Sequence, residues 1–366
     1  METIVAFSNA NRPHAQPLAG LFKPLPSSYF SFFASTSSQC QTFFNKRSIS
    51  LSLSSLTMAT PLQASASSTI GATNDELKVS SARLVGENDL LIVGPGVLGR
   101  LVAQKWREDH PGCQIYGQTV TTDHHEELIE MDINPSLKGM NSSNKFPYVI
   151  FCAPPSRSAD YAGDVREAGL SWNGEGSFLF TSSSAPYDCN DNGPCDEDTP
   201  VDTPVVPVGR SPRTDVLLKA EKVVLEFGGC VKNIDIFPVK LSKWSDLNHT
   251  HKADRGAHSY WLSKGTVDVR PDHILNLIHY EDAASLCIAI LKKRLRGRIF
   301  LGCDNHPLSR QEIMDLVNQS GKFSKKFEAF TGTSDPLGKK LNNSKTRLEI
   351  GWEPKYPSFA QFLETL

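Results

Sequence analysis

The sequence predicts an α/β protein built as a doubly wound parallel sheet, completed by a smaller C-terminal lobe. Three observations predict it. An apolar run, Leu90 to Val93, ends in glycines at 94, 96 and 99 and passes into a proline-free helical pattern, Val97 to Trp106. Strand and helix signals then alternate, as strands buried between layers of helices require. Finally, about 290 residues follow a low-complexity leader, enough for one large α/β domain or two lobes.

The glycine spacing G-x-G-x-x-G after a strand and before a helix is the dinucleotide-binding turn of a Rossmann-type sheet. Gly94 makes the tight turn, Gly96 admits a pyrophosphate to the backbone, and Gly99 lets the helix pack on the sheet. The first-turn amides of the helix, at Val97 and Leu98, are free to meet the anion.

The remaining elements follow in order. Strands are expected at Gln114 to Thr119, Leu128 to Asp132, Tyr148 to Ala153 and Ser177 to Ser182, with helices at Ala159 to Leu170 and Asp215 to Phe227. Beyond Asn233 come a strand around Ile274 to His279, a helix Glu281 to Lys292 and a strand Arg298 to Gly302. Ser309 with Glu312 makes a capping box for the helix after it. The tail WEPKYPSFAQFL reads as a docking segment. The expected organisation is a leader, residues 1–73, a cofactor-binding core, 74–232, and a substrate-side lobe continuing the core, 233–366.

Residues 1–73 hold 15 serines, four cationic residues and one acid, Glu2. A Ser-rich, acid-poor and arginine-scarce leader is the composition of a chloroplast transit peptide, so a stromal address is expected. Taking its +3 from the chain's −2 leaves −5 for residues 74–366, without the basic footprint of a nucleic-acid binder. No apolar run approaches the roughly 18 residues of a membrane span. Neither a nucleic-acid partner nor a membrane span is expected; the oligomeric state is left open.

The turn VGPGVLGR, the Ala153-Pro154-Pro155 step, FLFTSSSAPYD, the Ala220-Glu221 pair and NLIHYEDAA at 276–284 together resemble the extended and atypical short-chain dehydrogenase/reductases. The likeness is nearest to the NAD-dependent epimerase/dehydratase-like group. It implies hydride transfer at a nicotinamide, with a Ser or Thr holding the substrate oxygen, a Tyr as acid/base and a Lys lowering the tyrosine's pKa. It places Ser184 at the family's serine, Ala153 beside the cofactor, and Asp132, closing the third strand, against the adenine. The family's Tyr and Lys would fall on Arg213 and Leu217, neither of which can act. Tyr187 and Tyr161 are the other phenols near the expected cleft, and Tyr187 is carried forward with Ser184 as a catalytic candidate. A literal Y-x-x-x-K, Tyr260 to Lys264, lies about 76 residues beyond Ser184 and reads as surface aromatic plus lysine.

Cofactor choice is read after the second strand. An NAD protein places a carboxylate there for the ribose 2′-OH. This chain has Gln118 and Thr119, with its first acid at Asp123. That favours NADP over NAD, with Arg100 available to the 2′-phosphate. One segment departs from the family: NIDIFPVKLSKWSDLNHTH, from Asn233, replaces an R-x-x-G-x-Y-like strand motif. Residues 233–251 therefore read as a segment from an alternative transcript or misread gene model, although Ile234, Ile236 and Val239 still suit a strand. Cys189 and Cys195 flank a turn and read as reduced thiols with a disulfide sterically open. Two cysteines without nearby histidines make no zinc site, so no metal is expected.

Two readings remain. One is an NADP-dependent oxidoreductase or epimerase-like enzyme for a small carbonyl or sugar-nucleotide-like substrate. The other is a redox-inactive NADP-binding regulatory or scaffold protein lacking the Tyr/Lys pair.

Overall fold

The computed structural model describes residues 85–140, 144–187, 189–200, 212–234 and 257–366. Its centre is a parallel sheet of seven strands. In chain order its strands are β1 (Leu90–Val93), β2 (Ile115–Thr119), β3 (Ile133–Leu137), β4 (Phe146–Phe151), β5 (Trp172–Ser182), β7 (Cys230–Ile234) and β10 (Ile299–Gly302); the short β6 (Pro194–Cys195), β8 (Thr266–Val267) and β9 (Ile274–Leu275) lie outside it. Sheet order is β10-β7-β5-β4-β1-β2-β3, so the chain reverses direction of travel between β1 and β4. At such a switch point the loops after the two strands diverge and leave a crevice at their carboxyl ends.

Helices cover both faces because the strands are apolar on both. Leu90 and Ile92 pack with α1 (Val97–Asp109) on one face, and Leu91 and Val93 join the opposite layer. That is the two-residue alternation of a strand whose two sides are both buried. With α1 lies α6 (Tyr280–Lys293). The other layer contains α3 (Tyr161–Leu170) and α4 (Pro212–Glu226). Asp160 caps α3 by accepting from the Gly163 amide, and so starts the helix two residues later than expected.

The expected third strand is corrected. Leu128 belongs to α2 (His125–Glu130), and the strand begins at Ile133. Leu128 is fully buried while Ile129 is exposed, so the Leu-Ile pair belongs to a helix with one inward face. The boundary expected after residue 232 falls inside β7, and β10 with α6 completes the same sheet and its covering layer. Of the three apolar residues expected in a strand there, Ile234 is in β7; Ile236 and Val239 lie outside the described residues.

The remainder of the C-terminal part forms its own apolar cluster. α5 (Ala257–Lys264) supplies Trp261 and Leu262; the next helix, α7 (Arg310–Ser320), supplies Ile313, Met314 and Val317. Both bonds of the Ser309/Glu312 capping box are present. The helix α8 (Ser344–Ile350) precedes the tail, which ends in α9 (Phe359–Glu364). The tail docks as expected: the amides of Lys355 and Tyr356 donate to the Asp282 carboxylate, and Trp352 Nε1 donates to Ser285 Oγ. Two short pairings lie within the lobe, β11 (Leu308–Ser309) with β9 and β12 (Ala329–Phe330) with β8, and a third, β13 (Lys340–Leu341) with β6, ties it to the core. Among the described residues no helix is long and apolar enough to cross a membrane.

Candidate functional site

The glycine turn sits at the switch point and each glycine has a visible cause. Gly94 has φ +76, a left-handed value that favours glycine, and a Cβ there would lie 2.6 Å from Ala153 Cα. The turn therefore closes against the end of β4, where Ala153 was expected beside the cofactor. A Cβ on Gly99 would meet Ile92 Cγ2 at 2.9 Å, the close helix-to-strand approach. Gly96 differs: it is exposed, and a Cβ there meets no heavy atom nearer than the Gly94 carbonyl at 4.0 Å. That is open space in front of the first turn of α1, which carries no acidic residue and no side-chain cap. Val97 is half-buried and Leu98 packs in the core, so what these two offer an anion is their amides.

Around the turn, Gly94 N donates to the Gln118 carbonyl at 2.9 Å, which fixes the end of β2 beside it. Thr119 Oγ1 donates to the Thr121 carbonyl and lies 2.7 Å from His125 Nε2. Arg100 needs correction. Its side chain is buried, with Nε donating to the Pro95 carbonyl at 3.1 Å and Nη1 to Glu127 Oε2 at 3.0 Å. The guanidinium thus braces the glycine turn from behind, and its charge is already met by a carboxylate. It is not the free cation assigned to a 2′-phosphate. Asp132 is displaced as well: at φ +53 it joins α2 to the amino end of β3. In a parallel sheet that is the edge opposite the glycine turn, so Asp132 does not reach an adenine there.

The second corner lies at the carboxyl ends of β5 and β7. Ser182 closes β5 and its hydroxyl donates to Glu221 Oε1 on α4, both residues buried. Burial pushes the Glu221 carboxyl up to about 7, against the lowering effect of the Ser182 hydrogen bond. Ser184 and Tyr187 are brought together on one turn, with the Tyr187 amide donating to the Ser184 carbonyl at 3.1 Å. Both are almost fully shielded, at 2% and 1% exposure. Among the described residues the Tyr187 hydroxyl has no hydrogen-bond partner although it sits by the Asn233 carboxamide, whose oxygen and nitrogen are also unsatisfied there. Burial holds this phenol above the ordinary tyrosine range; Asn233 opposes the shift and Glu221, Cys195 and Glu197 add to it. A phenol in that condition stays protonated at neutral pH, because burial disfavours its phenolate.

Other candidates are excluded from this corner by what they touch. Leu217 is buried in the core, and the Arg213 side chain lies outside the described residues. Tyr161 is buried and spends its hydroxyl on the Ala153 carbonyl at 2.7 Å. Tyr260 is exposed on α5 with the Lys264 ammonium 5.8 Å from its ring, the surface pair expected. Cys189 and Cys195 are both free thiols beside Tyr187, and burial followed by the neighbouring Cys189 raises the Cys195 pKa. No metal-binding group of His, Cys, Asp and Glu is present among the described residues.

Sequence reasoning missed Asn233 and Lys339. Asn233 falls in the segment that departs from the family pattern. Lys339 reaches the corner from over 150 residues away, donating from Nζ to the carbonyls of Ser184, at 3.0 Å, and Tyr187.

This arrangement defines a Rossmann-type α/β protein with its open glycine turn and a hydroxyl-bearing corner on the same sheet edge. No protein-family profile and no curated protein matches the sequence. Solved structures do match. A conserved protein of unknown function from Silicibacter pomeroyi shares 20% identity, covers 76% of this chain and 97% of its own, and superposes with a TM-score of 0.58. The dTDP-glucose 4,6-dehydratase of Bacillus anthracis, solved with NAD, shares 13% over 76% of this chain and 94% of its own, with a TM-score of 0.57. The UDP-Glc/GlcNAc 4-epimerase of Campylobacter jejuni shares 16% over 76% and 97%, with a TM-score of 0.57. The fold is therefore that of the sugar-nucleotide epimerase and dehydratase structures.

Proposed function

We propose that this chain is an NADP(H)-dependent oxidoreductase or epimerase-like protein for a small carbonyl or sugar-nucleotide-like substrate, working in the chloroplast stroma. The observation that carries the cofactor assignment is the open space at Gly96 in front of the uncapped first turn of α1. The Val97 and Leu98 amides would hold the pyrophosphate, and Gly96 leaves it room. When bound, the nicotinamide supplies a hydride carrier. The chain's own contribution is then to orient a substrate oxygen at Ser184 and hold a proton on Tyr187 Oη. Kept protonated by burial, the phenol would hydrogen-bond a substrate carbonyl oxygen, the oxygen that takes up a proton in reduction. The preference for NADP rests on the lack of a carboxylate at the end of β2, and the Ser-rich leader supports the address.

A second reading is favoured by two observations: Leu217 in the core where a lysine would stand, and the near-complete shielding of Ser184 and Tyr187. Under it the protein binds NADP without turnover and acts by occupancy. One experiment separates the two: NADPH oxidation by the full chain against a panel of carbonyl compounds, together with NADPH affinity. Turnover supports the enzyme; binding without turnover on any compound supports the second reading.

A further inference from the structure

The Lys339 ammonium has no part in the reading above, yet it is placed against the two residues that matter most. It is 8% exposed, and its two hydrogen bonds among the described residues go to main-chain carbonyls, those of Ser184 and Tyr187. The same carbonyls each accept a local amide, Tyr187 N on Ser184 and Cys189 N on Tyr187. One cation therefore ties both ends of the Ser184-Ala185-Pro186-Tyr187 turn. Hydrogen bonds from a charged donor are roughly twice as strong as neutral ones, and two from one nitrogen fix the turn's orientation as well as its position.

The lysine is itself held on a rigid frame. Asn276, buried, donates from Nδ2 to the Lys339 carbonyl at 3.0 Å and accepts the Leu341 amide at 2.8 Å. On the other side, the Lys340 amide donates to the Gly193 carbonyl and the Asn342 amide to the Cys195 carbonyl, each at 2.8 Å. Asn276 thereby links the NLIHYEDAA segment, through Lys339, to the hydroxyl-bearing turn.

We propose that Lys339 is the positioning residue of this corner, a cation supplied from the C-terminal lobe that fixes the turn from Ser184 to Tyr187; the proposal rests on the reductase reading above. It acts on the main chain and not on the phenol, so it does not turn Tyr187 into a base. Its effect is geometric: hydride transfer is sensitive to misplacement on the order of 1 Å, which costs about a hundredfold in rate.

The test uses the full chain with Lys339→Met and Lys339→Arg. Methionine removes the charge at similar length, and both carbonyls keep their amide donors, so the variant retains the means to fold. Three quantities are measured: amide exchange across residues 184–189, the NADPH dissociation constant, and kcat and KM for NADPH oxidation with phenanthrenequinone as the carbonyl probe. The expectation for Lys339→Met is exchange at least tenfold faster, kcat at least tenfold lower and an NADPH dissociation constant within twofold of the parent. Lys339→Arg should stay within about threefold of the parent on all three. Unchanged exchange in Lys339→Met overturns the proposal. So does an Arg variant as impaired as the Met variant with NADPH affinity lost in step, which marks a merely structural lysine. A parent that binds NADPH but reduces neither the probe nor any compound of the carbonyl panel contradicts the reductase reading, and the clamp is then decided by the exchange measurement alone.

Discussion

Gly94 packs against Ala153 so closely that a Cβ on the glycine would lie 2.6 Å from the alanine Cα. The contact joins the ends of β1 and β4 across the point where the sheet reverses its winding. Gly94→Ala must therefore displace the β4 end and also adopt a strained positive φ, a cost of about 1–3 kcal/mol for the backbone alone. The expected outcome is a thermal midpoint several degrees lower and loss of NADPH binding, checked by melting with and without NADPH. An unchanged midpoint would mean that the turn and β4 are not in contact.

Glu221 gives a pH prediction with a definite sign. Its carboxyl titrates near 7 in the folded chain against an ordinary value of 4.5, so the folded state holds the proton more tightly than the unfolded one. Stability is then highest at low pH and falls as pH rises from about 4.5 through about 7, by on the order of 3 kcal/mol. Asp304, also pushed up to about 7 by burial, adds a parallel slope. Glu221→Gln keeps a partner for Ser182 without the charge. Urea unfolding should find it close to the parent at pH 4.5 and clearly more stable at pH 8. Identical curves for the two proteins would remove Glu221 as the source.

Lys232 stands in β7 with no exposed surface, its ammonium donating to the Ala283 carbonyl and to Cys287 Sγ. Burial lowers its pKa, so the charged form is disfavoured in the fold and stability is lost as pH falls through the folded pKa. Lys232→Leu should raise stability by about 1–2 kcal/mol at neutral pH, since a leucine suits the surrounding core and carries no desolvation cost. Denaturant midpoints decide it, and a destabilised variant would show that the buried amine is needed.

Much of the fold was legible in the sequence because strands buried on both faces leave continuous apolar runs, as at Leu90 to Val93, and because glycine spacing reports backbone geometry. The Ser309/Glu312 cap and the docked tail were legible for similar local reasons. The third strand was not, since a Leu-Ile pair looks alike in a short helix and a strand until burial separates the two side chains. The site was half legible. Ser184 and Tyr187 share a short segment, whereas Lys339 approaches through tertiary packing and has no sequence spacing to betray it. Arg100 was misassigned because its position beside the turn says nothing about Glu127, 27 residues later, which takes up its charge.

Catalysis separates the buried corner from the surface pair. Ser184→Ala should lower any NADPH-dependent turnover at least tenfold, while Tyr260→Phe, altering an exposed ring on α5, should leave it within twofold. Steady-state rates on the two variants are sufficient. A larger loss from Tyr260→Phe would relocate the active site to the C-terminal lobe.

The central claim is that the glycine turn holds a dinucleotide, and calorimetric titration of the full chain with NADPH and NADH tests it most directly. The account predicts NADPH binding at least severalfold tighter than NADH binding. It also predicts that Gly96→Leu abolishes both while preserving the thermal midpoint, because the added side chain enters open space and not the core. Binding of neither cofactor by the parent, or undiminished binding by Gly96→Leu, would contradict the claim, and NADH bound equally or more tightly would overturn the NADP preference.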